Sequence, residues 1–220
     1  MKNKKIITID GPSASGKGSL AKDLARKLNF LILDSGLLYR AYAYSFFKTN
    51  NHIDATKFFS KLFIKNSLGE MKVFEEDNEI TQFLRSEHIA KLASKLSSKK
   101  ETRDNLITFQ RDLLNDKGLV ADGRDMGTIV FPDAATKIFL TADVEIRAKR
   151  RFLELQKADQ DVNMRDLIED IRLRDEADKK REISPLIAAE DSIELDSTYL
   201  TLQEVLTKAL EIFKIQTKES

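Results

Sequence analysis

Short apolar runs alternate with amphipathic stretches in the first fifty residues. A β-branched run over 6–9, closed by an Asp-Gly pair, predicts a buried strand. A helical stripe follows over 19–28, then a second short apolar run over 30–33 and a second helical stretch over 37–47. This strand–helix–strand–helix order predicts an α/β domain with a parallel sheet.

The middle of the chain interrupts this alternation. A stretch over 52–64 reads as a helix that becomes extended, and a turn over 66–69 then predicts a β-hairpin. The pattern over 80–114 is mostly helical. We therefore interpret roughly residues 50–100 as an insertion into the α/β frame.

The α/β frame resumes with two more buried-strand candidates, over 119–122 and 137–140. Residues from 144 to about 180 predict a helical stretch that is unusually rich in charge, since 23 of the 42 positions over 141–182 are charged. An alternating segment over 192–195 predicts a fifth strand.

The C-terminal helix has the clearest start signal in the sequence. Thr201 and Glu204 match a capping box, in which the two side chains bond to each other's backbone N–H groups. One apolar face follows at helical spacing. That face consists of Leu202, Val205, Leu206, Ala209, Leu210 and Phe213.

Composition excludes several functional classes. The 37 basic and 36 acidic residues give a net charge of +1, which argues against sequence-independent binding to nucleic acid and against a polybasic membrane anchor. No apolar run approaches the roughly 18 residues of a membrane helix. The chain has no cysteine, so disulfides, thiolate nucleophiles and cysteine-based zinc sites are excluded, and we expect a cytoplasmic protein.

The eight glycines are concentrated where the backbone needs special freedom. Three lie within residues 11–18, in a G-x4-G-K pattern between the first predicted strand and the first predicted helix. Backbone N–H groups can converge on phosphate oxygens only where side chains do not obstruct them, and the N-terminus of the following helix favours the same anion. The predicted phosphate-binding loop is Gly11, Pro12, Ser13, Ala14, Ser15, Gly16, Lys17, Gly18 and Ser19.

The end of this loop departs from the generic pattern. Gly18 stands where a serine or threonine usually follows the lysine, and the hydroxyl comes one residue later, at Ser19. We expect Lys17 to place its charge beside the transferred phosphoryl group. Either Ser19 or water then takes the usual magnesium position.

A phosphate loop by itself leaves a GTPase, an ATPase motor and a small-molecule kinase open. The Asn-Lys-x-Asp pattern that reads guanine is absent from the sequence, which argues against a GTP-dependent switch. The Gly16-Lys17-Gly18-Ser19 variant is similar to the loop of nucleoside monophosphate kinases. Among small kinases, acceptors such as UMP, AMP or a non-nucleotide remain alternatives at this stage.

Further motifs resemble one branch of these enzymes, the bacterial cytidylate kinases. The resemblance extends from residue 6 to about residue 210. Its main motifs are Ile9-Asp10-Gly11-Pro12, the run from Asp34 to Arg40, the run from Val120 to Thr128, Phe131-Pro132-Asp133-Ala134, and Leu195-Asp196-Ser197-Thr198.

This resemblance implies transfer of the γ-phosphate of ATP to CMP or dCMP, with Mg²⁺ accompanying ATP. It implies a phosphate-loop fold with a five-stranded parallel sheet and helices on both faces. It also implies a single kinase domain over 1–220, an acceptor-nucleotide insertion at approximately 35–115 with a small antiparallel sheet, and a helical lid at approximately 143–185. We expect a monomer that binds these small molecules and neither nucleic acid nor membrane.

The resemblance also implies roles for individual residues. Lys17, Arg124, Arg147 and Arg151 would be catalytic, and Ser19 and Asp122 would hold the metal. Asp122 supports this from the sequence too, since a carboxylate that ends a buried strand in such a fold faces the nucleotide. The acceptor residues implied are Ser35, Arg40, Ser94, Arg103, Arg124, Asp125, Arg174, Asp178 and Arg181.

Spacing alone leaves several of these roles open. Arg174, Asp178 and Arg181 would share one helix face if their helix continued, but such a stripe equally fits surface ion pairs. The arginines at 147, 150 and 151 equally fit a solvated face. The family often has another arginine where this chain has Ala177, so any contact from that position is missing. Both histidines are assigned to structure or surface.

Overall fold

The computed structural model describes residues 3–67, 69–157 and 162–218. Its strands are β1 (Asn3–Asp10), β2 (Leu31–Asp34), β3 (Phe63–Ser67), β4 (Glu70–Glu75), β5 (Asn78–Glu79), β6 (Leu119–Gly123), β7 (Ala134–Thr141) and β8 (Ile193–Asp196). Its helices are α1 (Lys17–Leu28), α2 (Ser35–Thr49), α3 (His52–Phe59), α4 (Thr81–Leu84), α5 (Glu87–Leu96), α6 (Lys100–Asp112), α7 (Val144–Gln156), α8 (Met164–Lys179) and α9 (Leu202–Lys218). A π-helical turn spans Met126–Val130.

Five parallel strands form the central sheet, in the order β2-β6-β1-β7-β8. Consecutive side chains are buried over 6–10 in β1 and over 119–121 in β6, so both faces of the sheet are covered. Helices α1 and α9 pack against each other and onto the sheet, while α2 packs onto β6 and onto helices of the insertion. The predicted α/β fold with its five-stranded parallel core is confirmed.

The stretch over 50–100, which we interpret as an insertion, contains the predicted hairpin. Strands β3 and β4 pair antiparallel, and β5 adds a short third strand that the sequence pattern did not predict. The predicted turn at 66–69 includes Leu68, which lies outside the described residues. The side chain of Asn66 receives a hydrogen bond from Ile32 N at 3.2 Å and donates one to Ile32 O at 2.6 Å. The small sheet is thereby fastened to the open edge of β2.

The charged stretch after β7 is two helices rather than one. Residues from 144 to about 180 were predicted to be helical, and the structure divides them into α7, which ends at Gln156, and α8, which begins at Met164. The asparagine at 163 caps α8, its side chain accepting from Arg165 N. Helix α8 then ends at Lys179, so Arg181 lies beyond it and does not continue its face.

The C-terminal helix begins as predicted. Glu204 accepts hydrogen bonds from the backbone and hydroxyl of Thr201, whose hydroxyl accepts from Glu204 N. One part of the predicted apolar face is wrong. Leu202 lies in the first turn and is 44% exposed, whereas Ile212, which was not assigned to the face, is buried. Within the described residues, no helix combines the length and apolarity needed to span a membrane.

The carboxyl ends of the central strands bring acidic residues and turns to one edge of the sheet. Asp10 lies in register with Gly123, and Asp34 lies in register with Asp122. Ligands of open parallel sheets bind in the crevice beyond such ends. The loop that follows β1 opens into this crevice.

Candidate active site

The phosphate-binding loop connects β1 to α1 in a conformation that depends on glycine. Gly11 has a φ of 148°, and a Cβ atom there would lie 2.1 Å from the carbonyl oxygen of Leu140. Gly16 has a φ of 96° and directly precedes α1. The backbone can therefore fold tightly beside β7 and present its N–H groups at the start of a helix.

Lys17 begins α1 and is almost completely buried, with 6% of its surface exposed. Its Nζ donates a hydrogen bond to the carbonyl oxygen of Pro12 at 2.8 Å. Burial, together with the positive charge of Arg124, lowers the pKa of Lys17 to about 8, although Asp122 and Asp10 oppose this shift. A nearby phosphate would stabilise the ammonium form further.

A cleft extends from Lys17 toward the insertion and is strongly cationic. Six basic side chains line it, against three carboxylates. The basic residues are Lys17, Arg40, Arg103, Arg124, Arg174 and Arg181, and the carboxylates are Asp34, Asp122 and Asp125. Ser35 and Ser94 also line the cleft. The structure thus brings every predicted acceptor residue except Asp178 to the wall of one cleft.

Asp178 lies just behind that wall and joins two of its arginines. Its Oδ2 accepts from Arg124 Nε at 2.7 Å, and its Oδ1 accepts from Arg181 Nη2. Although burial raises the pKa of this carboxyl, the two arginines outweigh burial and lower it below its usual value. The carboxylate therefore stays ionised and holds both guanidinium groups at the cleft.

Arg103 and Asp125 form a second buried pair. Arg103 Nη1 lies 2.7 Å from Asp125 Oδ2, and its Nε donates to the carbonyl oxygen of Ser97 at 2.7 Å. The guanidinium also lies over the ring of Tyr39. Burial raises the pKa of Tyr39 to about 12, so its hydroxyl stays protonated. The sequence analysis missed Tyr39, which lines the cleft.

Two arginines of the cleft have no carboxylate partner among the described residues. Arg40 donates only to the carbonyl oxygen of Leu84, at 3.2 Å. The Nε atom of Arg174 is buried and makes no hydrogen bond. Burial, together with the charge of Arg124, lowers the pKa of Arg174 to about 10. Both guanidinium groups are thus poised for an anionic ligand.

Ser35 begins α2 and is buried at the other side of the cleft. Its hydroxyl donates to Gln110 Oε1 at 2.9 Å, and Gln110 in turn donates to the carbonyl oxygen of Leu106. The α6 glutamine, which the sequence analysis did not single out, thereby orients the serine. The preceding Asp34 caps α2 by accepting from Leu37 N.

Helices α7 and α8 close over the phosphate loop. Arg147 is buried, its Nη1 lies 2.6 Å from Asp175 Oδ2, and it donates to the carbonyl oxygen of Ser13 at 3.1 Å. Arg150 donates to the carbonyl oxygen of Ser15 at 3.1 Å and also contacts Ser197. Two arginines of α7 therefore contact the loop from one side.

Arg151 lies elsewhere. Its side chain is 44% exposed and pairs with Glu154 within the same helix. The structure therefore does not bring this predicted catalytic residue to the phosphate loop. The two arginines of this helix that contact the loop are Arg147 and Arg150.

A second opening lies on the far side of the phosphate loop. Ser15, Gly16, Ser19 and Arg150 line it, together with apolar side chains such as Leu153 and Val205. The hydroxyl of Ser15 is buried and has no hydrogen-bond partner within the described part of the chain. Ser19 thus lies on this side, whereas Asp122 lines the cationic cleft.

Asp34 at the end of β2 and Asp122 near the end of β6 differ in how far their carboxylates are already hydrogen-bonded. Both oxygens of Asp34 are engaged, one by Leu37 N and the other by Arg85 at 3.2 Å. Asp122 is free of such bonds among the described residues, and burial raises its pKa to about 6 despite the nearby Lys17. A Cβ atom at Gly18 would lie 3.4 Å from Asp122 Oδ2. Asp122 therefore faces the first turn of α1.

Asp10 is a buried carboxylate that the motif contains but to which the sequence analysis gave no role. Its Oδ1 accepts from Met126 N at 2.8 Å and its Oδ2 accepts from Gly127 N at 2.7 Å. Burial raises its pKa to about 7, although these two bonds oppose the shift. The signal that could have found it is a charged residue directly after an otherwise apolar strand.

Comparison with known proteins places this chain in a family. The chain is similar in outline to the crystal structure of TT1252 from Thermus thermophilus, at 17% identity and a TM-score of 0.49 over 96% of each chain. Its sequence is 43% identical to the cytidylate kinase of Pseudomonas syringae pv. tomato over 93% of each chain. It is 42% identical to that of Caldicellulosiruptor saccharolyticus over 96% of each chain. The family model for cytidylate kinase matches residues 7–215, and the chain therefore belongs to the cytidylate kinase family.

Proposed function

We propose that this protein transfers the γ-phosphoryl group of ATP to CMP or dCMP, giving ADP and CDP or dCDP. The observation that carries the proposal is the cationic cleft, which begins at Lys17 and continues between α2, α6 and α8. Six basic side chains around one cleft suit two phosphate-bearing substrates that would otherwise repel each other. Family membership supplies the identity of the acceptor.

The donor nucleotide is assigned to the phosphate loop and the opening behind it. Backbone N–H groups from Gly11 to Ser19 would surround the phosphates, and Lys17 would reach the transferred group. The apolar side chains beside Arg150 suit the base of the nucleotide. This assignment keeps the donor on one side of Lys17 and the acceptor on the other.

The acceptor phosphate is assigned to Ser35, Arg40, Arg124 and Arg174. Arg40 and Arg174 have the strongest case, because neither forms a direct ion pair with a carboxylate of the described residues. A planar guanidinium can hold two phosphate oxygens at once. Hydrogen bonds from these fixed side chains would place the attacking phosphate oxygen of CMP in line with the β–γ bridging oxygen of ATP. Such alignment provides most of the catalysis in phosphoryl transfer.

The base of the acceptor is assigned to Ser94, Arg103 and Asp125, with Asp178 and Arg181 nearer the sugar. The Arg103–Asp125 pair offers guanidinium donors and carboxylate acceptors at one edge of the cleft. A site built to bond to a base edge rejects bases whose donors and acceptors differ, since its own polar groups would be left unpaired. This supports discrimination between cytosine and other bases.

The oxygen ligands at the carboxyl end of the sheet suit a magnesium ion. No group of three or more acidic or histidine side chains gathers to hold a metal in the part of the chain that the structure describes. Mg²⁺ commonly needs only one or two carboxylates, with phosphates and water completing its shell. Asp122 would hold it, directly or through water, and the ion would neutralise charge on the transferring group. Ser19 lines the donor side and would contribute there.

The lid contacts support exclusion of water during transfer. Arg147 and Arg150 bond to backbone carbonyls of the phosphate loop from outside, and Arg147 also pairs with Asp175 of α8. A closed lid would keep water from competing with CMP for the phosphoryl group. All of these groups come from one chain, which supports a monomer as the working unit, and the absence of cysteine fits a cytoplasmic enzyme.

A panel of acceptors tests the proposed function. Purified protein with ATP and Mg²⁺ is supplied with CMP, dCMP, UMP or AMP, and release of ADP is followed. We expect turnover with CMP and dCMP, slower turnover with UMP and AMP, and almost none without an acceptor. A preference for AMP over CMP, or hydrolysis of ATP or GTP that ignores the acceptor, would overturn the assignment.

A further inference from the structure

The π-helical turn at 126–130 connects the phosphate loop to the acceptor cleft. It follows Asp125 directly, and Asp125 holds Arg103 at the cleft. Arg124, which lines the same cleft, comes one residue earlier. Any shift of the turn would therefore displace two cleft residues together.

Both ends of this turn are held by charged side chains. At its start, the two oxygens of Asp10 each accept one backbone N–H, from Met126 and Gly127. At its end, Arg111 of α6 donates to the carbonyl oxygens of Val130 at 2.9 Å and Ile129 at 3.0 Å. A negative group thus meets free N–H groups and a positive group meets free carbonyls, which is the favourable pairing at helical ends.

The turn has almost no room to move toward the sheet. A Cβ atom at Gly127 would lie 2.8 Å from Thr8 Oγ1, 3.2 Å from Lys137 Cδ and 3.3 Å from Asp10 Oδ2. Glycine at this position is what lets the backbone approach close enough for both Asp10 oxygens to be used. The carboxylate is only 5% exposed, so water could not replace either bond without entering the core.

We propose that Asp10 is a positioning residue for the acceptor site: by holding the start of the turn, it sets the places of Arg124 and Asp125 in the cleft. This inference rests on the proposed function, because the nucleotide bound there is taken to be CMP. Asp10 also directly precedes Gly11 of the phosphate loop and lies near Lys17. The rival role is therefore support of the donor site, and the two roles predict different kinetic constants.

Substitution of Asp10 by Asn separates the two roles. The amide keeps the size of the carboxylate but offers one acceptor and one donor, so an NH2 group must face one of the two backbone N–H groups. We expect the KM for CMP to rise at least about tenfold while the KM for ATP changes less than about threefold. Asp133→Asn, an exposed carboxylate beyond the same turn, is the matched control and should leave both constants unchanged.

A substitution within the π-helical turn tests the same inference without altering any charge. Gly127→Ala should push the turn away from Asp10 and raise the KM for CMP in the same selective way. Adding Thr8→Ala removes the nearest clashing atom and should restore part of the lost affinity. This pair keeps the inference testable if Asp10→Asn does not fold.

Amide hydrogen exchange gives a readout that does not depend on the identity of the acceptor. In Asp10→Asn, the amides of Met126 and Gly127 should exchange faster, while those of Ile7 and Val120 stay protected. A rise in the KM for ATP equal to that for CMP, or unchanged kinetics with only a lower melting temperature, would overturn the proposal. Failure of the wild-type protein to phosphorylate CMP would instead overturn the proposed function, before any variant is compared.

Discussion

Arg124 Nε donates to Asp178 Oδ2 at 2.7 Å, across 54 residues of sequence, and this bond connects the end of a core strand to helix α8. The same carboxylate also accepts from Arg181. Because the Asp178 side chain is buried, the attraction is weakly screened. The position of α8 and the charge of the cleft are therefore coupled through one side chain.

Replacing Asp178 by Asn should damage both stability and acceptor binding. Two arginines would face each other without a compensating charge, and breaking such a buried pair costs about 3 kcal/mol of unfolding free energy. We expect a lower melting temperature and a higher KM for CMP. Asp170→Asn, an exposed residue of the same helix, serves as control, and equal stability of the two variants would contradict the assignment.

Arg174 offers a sharper test of the acceptor phosphate site. Its Nε is buried and has no hydrogen-bond partner among the described residues. Arg172 on the same helix is 56% exposed and pairs with Glu145. Arg174→Ala should raise the KM for CMP by about 10- to 100-fold, as expected when a charge-assisted bond of about 1.5–3 kcal/mol is lost. Arg172→Ala should have almost no effect. Similar kinetics for both variants would show that Arg174 does not hold the acceptor.

The lysine of the phosphate loop should set the alkaline limit of activity. Lys17 has its pKa lowered to about 8, so the ammonium that attracts phosphate is lost as pH rises through that value. We expect kcat/KM for ATP to fall above about pH 8, since this ratio reports the free enzyme. Lys17→Arg should be slower at neutral pH but lack that alkaline fall, because guanidinium keeps its charge.

Two measurements sharpen this prediction. Lys17→Ala should lose at least about a hundredfold in kcat with the fold intact, and Lys27→Ala, an exposed lysine of the same helix, should not. An identical alkaline fall in the wild type and in Lys17→Arg would exclude Lys17 as the titrating group.

Substitution by alanine at two glycines of the loop should change the free energy of unfolding differently. At Gly11 a Cβ atom would lie 2.1 Å from the carbonyl oxygen of Leu140, so Gly11→Ala should cost about 2–3 kcal/mol or more of unfolding free energy. At Gly18, in α1, the nearest atom would be Asp122 Oδ2 at 3.4 Å. Gly18→Ala should therefore be neutral or gain up to about 1 kcal/mol. Thermal unfolding of the two variants measures this, and equal melting temperatures would contradict it.

Local patterns predicted the sheet and the phosphate loop because both depend on nearby residues. The buried strands are short apolar runs, and the loop needs Gly11 and Gly16 for backbone geometry. The boundary between α7 and α8 was not placed, since residues 144 to about 180 were predicted only as a charged helical stretch. Leu202 fits the helical stripe but lies in the first turn of α9, where it is exposed and lines the second opening beside the phosphate loop.

The pairings that organise the cleft could not be read from spacing. Arg103 meets Asp125 across 22 residues, and Ser35 meets Gln110 across 75. Family resemblance named most of these residues but not their partners. It also did not single out Gln110 or the tight fit of Gly127, because both act through tertiary contacts.

The most direct test of the proposed transfer from ATP to CMP follows the phosphoryl group itself. ATP labelled in its γ-phosphate is mixed with CMP, Mg²⁺ and the protein, and the products are separated during a single turnover. We predict that the label appears in the β-phosphate of CDP, with almost none in inorganic phosphate. Label that appears chiefly in inorganic phosphate, at a rate that CMP does not change, would contradict direct transfer between two nucleotides held on opposite sides of Lys17.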